Sequence, residues 1–307
     1  TELLRMTLES RPPLIEGVIS MGDKVMLFAE PKAGKSIIAQ QLGSCVAGNH
    51  EFLGFPASEG EHRVLYVAGE GDIEELQERG RAMDKTLPVP KDRLWYWPMP
   101  LAPLNIEQGF RQLIEFAMLI KPQLTLIDPI YALFMGSMVK DEPSGDFVRN
   151  MNRYQYMTGS AIVLLHHSHR PVKDEGGRFM EQGAESYFGS FVWKAWPRSF
   201  WMMAVDKNDH HYVKLSCALQ RSRKNKLGTT SMTLVEPEPL YFEVRDETRG
   251  PTQAVVLAQL RERPQTVAEL TEVTDRGRVS IQEVVNHLAE RKSIVGDGWP
   301  VQYTIRE

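Results

Sequence analysis

Cysteine is scarce in this 307-residue chain: only Cys45 and Cys217 occur. Two cysteines cannot build a disulfide framework, so the fold has to rest on a buried apolar core, and their scarcity suits a reducing compartment. Long apolar runs are missing as well. No stretch reaches the ~18 uninterrupted apolar residues that read as a membrane span, so we expect no membrane partner. No charged-then-apolar leader opens the chain, and the expectation is a cytoplasmic protein. It begins at Thr1 rather than methionine, which points to missing or processed opening residues. A basic excess is lacking too. The 36 Lys and Arg face 40 Asp and Glu, a net charge of −4. No global field draws in a polyanion, so any nucleic-acid contact must come from local patches. Internal repeats and low-complexity tracts are absent.

What is present fits one large α/β core plus a small appendage. Apolar β-type runs occur at 24–29, 63–68, 123–127 and 161–165, separated by helical patterns at 35–48, 72–84, 107–120 and 146–158. Short buried strands alternating with helices predict a parallel sheet with crossover helices. Before them, residues 1–20 read as a lead-in segment lying on the core. After them come strands at 200–206 and 212–219, a basic run at 221–226 and a hairpin-like piece at 231–244. A charged linker ending in Gly250-Pro251 then divides the chain into a core, 1–248, and an appendage, 249–307. Within the appendage, 252–263 is an amphipathic helix. Capping boxes at Thr266–Glu269 and Ser280–Glu283 open two more helices. Residues 294–305 read as a β-ribbon, which completes a winged-helix plan.

The chemistry sits at the strand ends. Ala29-Glu30-Pro31-Lys32-Ala33-Gly34-Lys35-Ser36 follows a strand and opens a helix, the context of a phosphate-binding loop. Its backbone N–H groups, through Ile37, would hold the phosphates of ATP. Lys35 would reach the β- and γ-phosphates, and the Ser36 hydroxyl would hold Mg²⁺. Ala29 stands where the usual pattern has its first glycine. The strand 63–68 runs into Gly69-Glu70-Gly71-Asp72. Glu70 is placed to polarise an attacking water, and Asp72 to cap the next helix. The strand Leu124–Ile127 closes on Asp128, a second Mg²⁺ candidate. The strand 161–165 ends in His166-His167-Ser168-His169. Neighbouring side chains there point to opposite faces, so His167 reads as a γ-phosphate sensor rather than one ligand of a shared metal.

Taken together, AEPKAGKS, LYVAGEGD, LTLIDPIYALF, IVLLHHSHR and RKNKLGTT, spread over residues 18–244, resemble the hexameric replicative helicases of the RecA superfamily. The likeness is to the RepA-like branch, with DnaB and KaiC groups more distant. The resemblance implies a RecA-like core, a homo-hexameric ring and single-stranded DNA as partner. It implies a basic finger inserted into the neighbouring subunit's ATP site. Here Lys226 matches the finger and Lys224 its companion, with Arg198, Arg221 and Arg223 as alternatives. It also implies DNA-gripping loops after Asp128 and after His167. The second loop carries Arg170, Lys173 and Arg178; the first, Met135–Gly145, offers only Lys140. The appendage holds seven Lys or Arg against eight Asp or Glu over 251–307, so docking to a replication-initiation or loading protein suits it at least as well as binding duplex. A recombination or repair ATPase, and a KaiC-like regulator that never touches DNA, are the rival readings.

Overall fold

The computed structural model describes residues 11–167, 190–206, 211–220 and 227–244, and beyond these 256, 259–260, 263–274, 282, 285–286, 288–289, 294–297 and 301–305. The chain divides into two compact units, Thr1–Val244 and Arg245–Glu307.

In the first unit, the lead-in forms a small hairpin, β1 (Pro13–Ile15) and β2 (Ile19–Ser20). Leu14, Ile15, Val18 and Ile19 are buried in the main core, which is what fixes this short piece in place. Next come β3 (Lys24–Ala29), α1 (Lys35–Gly48), β4 (Val64–Ala68), α2 (Ile73–Asp84), β5 (Leu94–Pro98), α3 (Glu107–Ile120), β6 (Leu124–Asp128), α4 (Asp141–Thr158) and β7 (Ala161–His167). A short helix α5 (Phe191–Ala195) precedes β8 (Ser199–Val205), β9 (Tyr212–Gln220), β10 (Thr229–Val235) and β11 (Tyr241–Val244).

Nine of these strands form one sheet in the order β11-β10-β9-β8-β3-β7-β6-β4-β5. From β8 to β5 every neighbouring pair is parallel, while β8–β9, β9–β10 and β10–β11 are antiparallel. The sheet is thus mixed rather than wholly parallel: helical crossovers stop at β8, and short turns can join only antiparallel neighbours. Both faces are covered. Val25, Leu27, Val64 and Tyr66 pack with α1 on one face; Met26, Phe28, Leu65 and Val67 pack with α3 and α4 on the other. That two-sided burial is why the central strands read as continuous apolar runs rather than alternating ones.

Two elements depart from the sequence reading. It places no strand at 94–98, although the run is aromatic; β5 lies at the sheet edge, where Trp97 stacks on Phe116 of α3 at 4.6 Å. And α4 begins at Asp141, not near 146, so the end of the Met135–Gly145 stretch is helix. Asp141 and Glu142 in its first turn suit the positive end of the helix dipole. Cys45 of α1 is fully buried; burial, then Glu51, pushes its thiol up to about 12, so it is an inert packing residue.

In the second unit, Val256, Leu260, Leu270, Val285, Leu288 and Ile294 form a separate core. Around it stand β12 (Gln265–Thr266), α6 (Val267–Thr274), β13 (Ile294–Asp297) and β14 (Gln302–Ile305), the strands in the order β12-β14-β13. The start of α6 is the expected capping box. Thr266 N–H donates to Glu269 Oε2 at 2.7 Å, and Glu269 N–H donates to Thr266 Oγ1 at 3.2 Å. Donation from Thr266 N–H, from Arg263 and from the Thr266 hydroxyl holds the Glu269 carboxyl down at about 2.

Candidate active site

Strand register assembles the site at the carboxyl edge of the sheet. Ala29, the end of β3, is level with His167 of β7, and Ala68 of β4 is level with Asp128 of β6. The loop after β3, the Gly69–Asp72 turn, Asp128 and His167 therefore leave the sheet side by side.

The loop before α1 turns through two left-handed residues, Lys32 at φ 66 and Gly34 at φ 78. A β-carbon on Gly34 would also stand 2.6 Å from Cζ of Phe242, so both backbone and packing demand glycine here. No side chain caps α1 and its first turn holds no acid. By contrast, α2 is capped by Asp72, which accepts from Glu75 N–H at 2.7 Å. The bare amino end of α1 leaves N–H groups and the positive end of the helix dipole for an anion, which fits a bound triphosphate.

A cavity of about 430 Å³ opens over this loop, lined by Glu30, Lys32, Ala33, Gly34, Lys35, Ser36 and Ile37 together with Glu70, Arg79 and His167. Pro31 is exposed and does not line it. A smaller adjoining cavity of about 170 Å³ brings Ser36 together with Glu70 and Asp128. A hydroxyl and carboxylates are hard oxygen donors of the kind Mg²⁺ takes. A third cavity, about 600 Å³, lies between α2 and β5 and gathers none of the candidate residues.

Lys35 is buried, 6% exposed. Burial lowers its pKa, while Asp128 and Glu70 raise it. Its ammonium lies 3.1 Å from Nδ1 and 3.4 Å from Nε2 of the His167 ring and donates to the one that carries the free lone pair. An ammonium has no lone pair, so the imidazole must accept and be neutral at that nitrogen. The shift of His167 agrees: burial, then Lys35, lowers its pKa against the pull of Asp128. Its other neighbour is Tyr131, with ring centroids 5.1 Å apart. His166 turns to the opposite face, against Phe28 at 5.5 Å.

Glu70 is exposed at the cavity mouth. Partial burial, then Asp128, raises its carboxyl above the ordinary value, and Lys35 lowers it. Gly69 before it passes tightly over the residues following β6: a β-carbon there would meet Leu133 Cγ at 2.8 Å. Its N–H donates to Asp128 O at 2.7 Å, which ties the two acid-bearing strand ends together.

Asp128 is 5% exposed and accepts a short hydrogen bond from the Tyr66 hydroxyl. Burial and Asp128 push the Tyr66 phenol far up, so it stays a donor. Tyr66 and Arg79 are absent from the sequence reading. A tyrosine inside a buried strand signals a hydroxyl in need of a partner; Arg79, one cation among many on an exposed helix, offers no such signal.

Arg198 lies at the opposite edge of the sheet. Its N–H donates to Lys24 O at 2.7 Å, roughly 16 Å of strand from the end of β3. It cannot serve its own phosphate loop. Arg170, Lys173, Arg178, Arg221, Arg223, Lys224 and Lys226 lie outside the described residues.

Residues 1–171 match the AAA domain family. No curated protein sequence matches the chain. Among solved structures, the KaiC-like protein PH0186 from Pyrococcus horikoshii OT3 superposes with TM-score 0.53 at 14% identity, over 78% of this chain and 99% of its own. The flagellar accessory protein FlaH from Methanocaldococcus jannaschii gives TM-score 0.50 at 14% identity, covering 74% and 90%. A third, an ATPase domain, gives 0.55 at 12% identity, covering 74% and 86%. At such identities the likeness is one of fold: the first unit has the fold of a RecA-like P-loop core.

Proposed function

Starting from a chain that belongs to the AAA domain family, we propose an MgATP-hydrolysing motor that assembles as a ring and moves on single-stranded DNA, with replicative unwinding as its role. One observation carries the reading: His167, at the tip of β7, accepts from Lys35 of the phosphate loop at 3.1 Å. A group that touches the phosphate-binding cation and ends the strand can report nucleotide state to the residues that follow it. In this reading Lys35 and the α1 amide groups bind the triphosphate. Ser36 and Asp128, the latter oriented by Tyr66, would hold Mg²⁺, which would neutralise phosphate charge. Glu70 orients the attacking water, and Lys226 or one of its neighbours completes the neighbouring subunit's site. Arg170, Lys173 and Arg178 would grip the strand. The second unit, with a three-stranded antiparallel sheet beside α6, supports a winged-helix module for docking a loading protein.

The likeness to a KaiC-like protein and FlaH favours a second reading, a nucleotide-dependent regulator without DNA. The decisive experiment measures ATP hydrolysis with and without single-stranded DNA alongside the mass in solution. Stimulation by DNA in a multimer supports the motor. A DNA-indifferent ATPase supports the regulator, and no hydrolysis at all overturns both.

A further inference from the structure

The cavity between α2 and β5, about 600 Å³, takes no part in the hydrolysis proposed above. Two periodicities build its walls. Ile73, Gln77, Gly80 and Asp84 fall on one stripe of α2, at spacings of three and four. Leu94, Tyr96 and Pro98 are alternate residues of β5 and share one face of the sheet. The volume is that of a small-molecule site.

Gly80 and Tyr96 make a slot in it. Glycine is unfavourable inside a helix, yet neither a left-handed backbone nor crowding requires it here. A β-carbon on Gly80 would meet only the Tyr96 hydroxyl oxygen, at the ordinary contact distance of 3.8 Å. The missing side chain leaves open the space that Tyr96 faces. Strand register sets Tyr96 beside Tyr66, with ring centroids 5.5 Å apart. β5 is the last strand of the sheet, so no further strand covers the other side of the Tyr96 ring. A slot between a helix glycine and a tyrosine ring receives a flat ring.

Polar groups of both signs surround the slot. Asp84 accepts from Val89 N–H at 3.0 Å through Oδ1, which leaves Oδ2 and further lone pairs to accept. Burial, then the Asp84 charge, pushes the Tyr96 phenol up to about 12, which puts that carboxylate close to the ring. Arg81 and Lys91 also line the cavity, and among the described residues neither forms an ion pair. We infer that the α2–β5 cavity is a second nucleotide site, separate from the phosphate loop and shaped for a guanine nucleotide. The base occupies the slot on Tyr96, its N–H edge meets Asp84, and its phosphate meets Arg81 and Lys91. A carboxylate can accept from two adjacent donors. Guanine offers two, its ring N–H and its exocyclic amino group, whereas adenine offers only an amino group. The second site is joined to the first. Leu76 lines both this cavity and the one that holds Ser36, Glu70 and Asp128. Tyr66, beside Tyr96, donates its hydroxyl to Asp128. Occupancy therefore regulates hydrolysis, a consequence that rests on the ATPase reading; the binding itself does not.

The test is calorimetric binding of GMP, IMP and AMP to the full chain carrying Lys35→Ala, which disables the phosphate loop. GMP should bind. IMP, which lacks the amino group, should bind about tenfold more weakly, the usual scale for a hydrogen bond to a charged group, and AMP more weakly than GMP. Asp84→Asn, which keeps an acceptor for Val89, should bring GMP down to the level of IMP. Gly80→Leu fills the slot with a better helix former and should abolish GMP binding. In the chain with Lys35 intact, saturating GMP should change ATP turnover about fivefold or more, the scale of ordinary coupling between sites, and Gly80→Leu should remove the change. A single-stranded oligonucleotide that displaces GMP makes the natural ligand a strand; one that does not makes it the free nucleotide. No binding of GMP to the Lys35→Ala chain, or binding that survives Gly80→Leu, would overturn the site. Binding without any effect on turnover would overturn the regulation. Failure of the phosphate-loop reading looks different: Lys35→Ala would then hydrolyse ATP normally, with the GMP results unchanged.

Discussion

Lys35 shows how a residue can be costly to the fold and indispensable to chemistry. Its burial disfavours the ammonium, and Asp128 and Glu70 offset that only in part, so a desolvation cost is left for a bound polyanion to offset. Lys35→Ala should abolish ATP hydrolysis while the melting temperature stays level or rises; turnover near the unaltered rate would remove the loop from the site. Glu70→Gln should keep nucleotide binding and cut turnover roughly 10²-fold or more, the usual contribution of a general base. The sign of its pKa shift adds a pH test. A general base must be ionised, and Glu70 is raised above the ordinary 4.5. Activity should therefore fall, on acidification, above pH 4.5, and this limb should vanish in Glu70→Gln. A limb unchanged by the substitution would place the titration elsewhere.

At the scale of elements, β7 is the part to watch. It runs past Leu165 to His167, beyond the last paired residue of β6, so that its tip meets Lys35 and Tyr131. If the loop after it grips DNA, His167→Ala should reduce DNA stimulation of ATPase more than the basal rate, read from rates with and without DNA. A parallel fall in both would make the histidine purely structural or catalytic. Much of this was legible beforehand. Four buried strands and four helices appear in the residue pattern because two-sided burial makes apolar runs, and Asp72 announces itself as a cap by chemistry alone. Partnerships across the fold were not legible. That Tyr66 serves Asp128 depends on two strands being neighbours, and that Phe242 buttresses Gly34 depends on a contact 208 positions away in sequence. Strand order, which no local pattern encodes, decides both. The reach of β5 was hidden differently: its run is apolar and aromatic, but it stands at the sheet edge with its side chains only partly buried and closes on Pro98.

At the scale of the whole molecule, the proposed ring places each active site between two copies. A cation that must cross an interface makes hydrolysis depend on assembly, so specific activity should rise with protein concentration until the ring is saturated. Lys226→Ala mixed with Lys35→Ala should regain activity, since one interface then pairs an intact loop with an intact finger; a trans cation is worth on the order of 10³-fold. No recovery, with activity independent of concentration, would refute the shared site. Recovery from Arg221→Ala or Arg223→Ala but not from Lys226→Ala would move the finger. Assembly also requires that sheets not join by the wrong route, and Gln41, buried on α1, bears on this: its Nε2 donates to Phe242 O at 2.9 Å and its Oε1 accepts from Phe242 N–H at 2.7 Å. β11 is the last strand of the sheet, and both backbone groups of Phe242 that face away from β10 are taken by one side-chain amide. The helix thus supplies a one-residue stand-in for a tenth strand. Gln41→Leu would bare that N–H and C=O on an open border, and the consequence to expect is not a slower enzyme but a stickier one, prone to strand-to-strand association beyond the proposed ring.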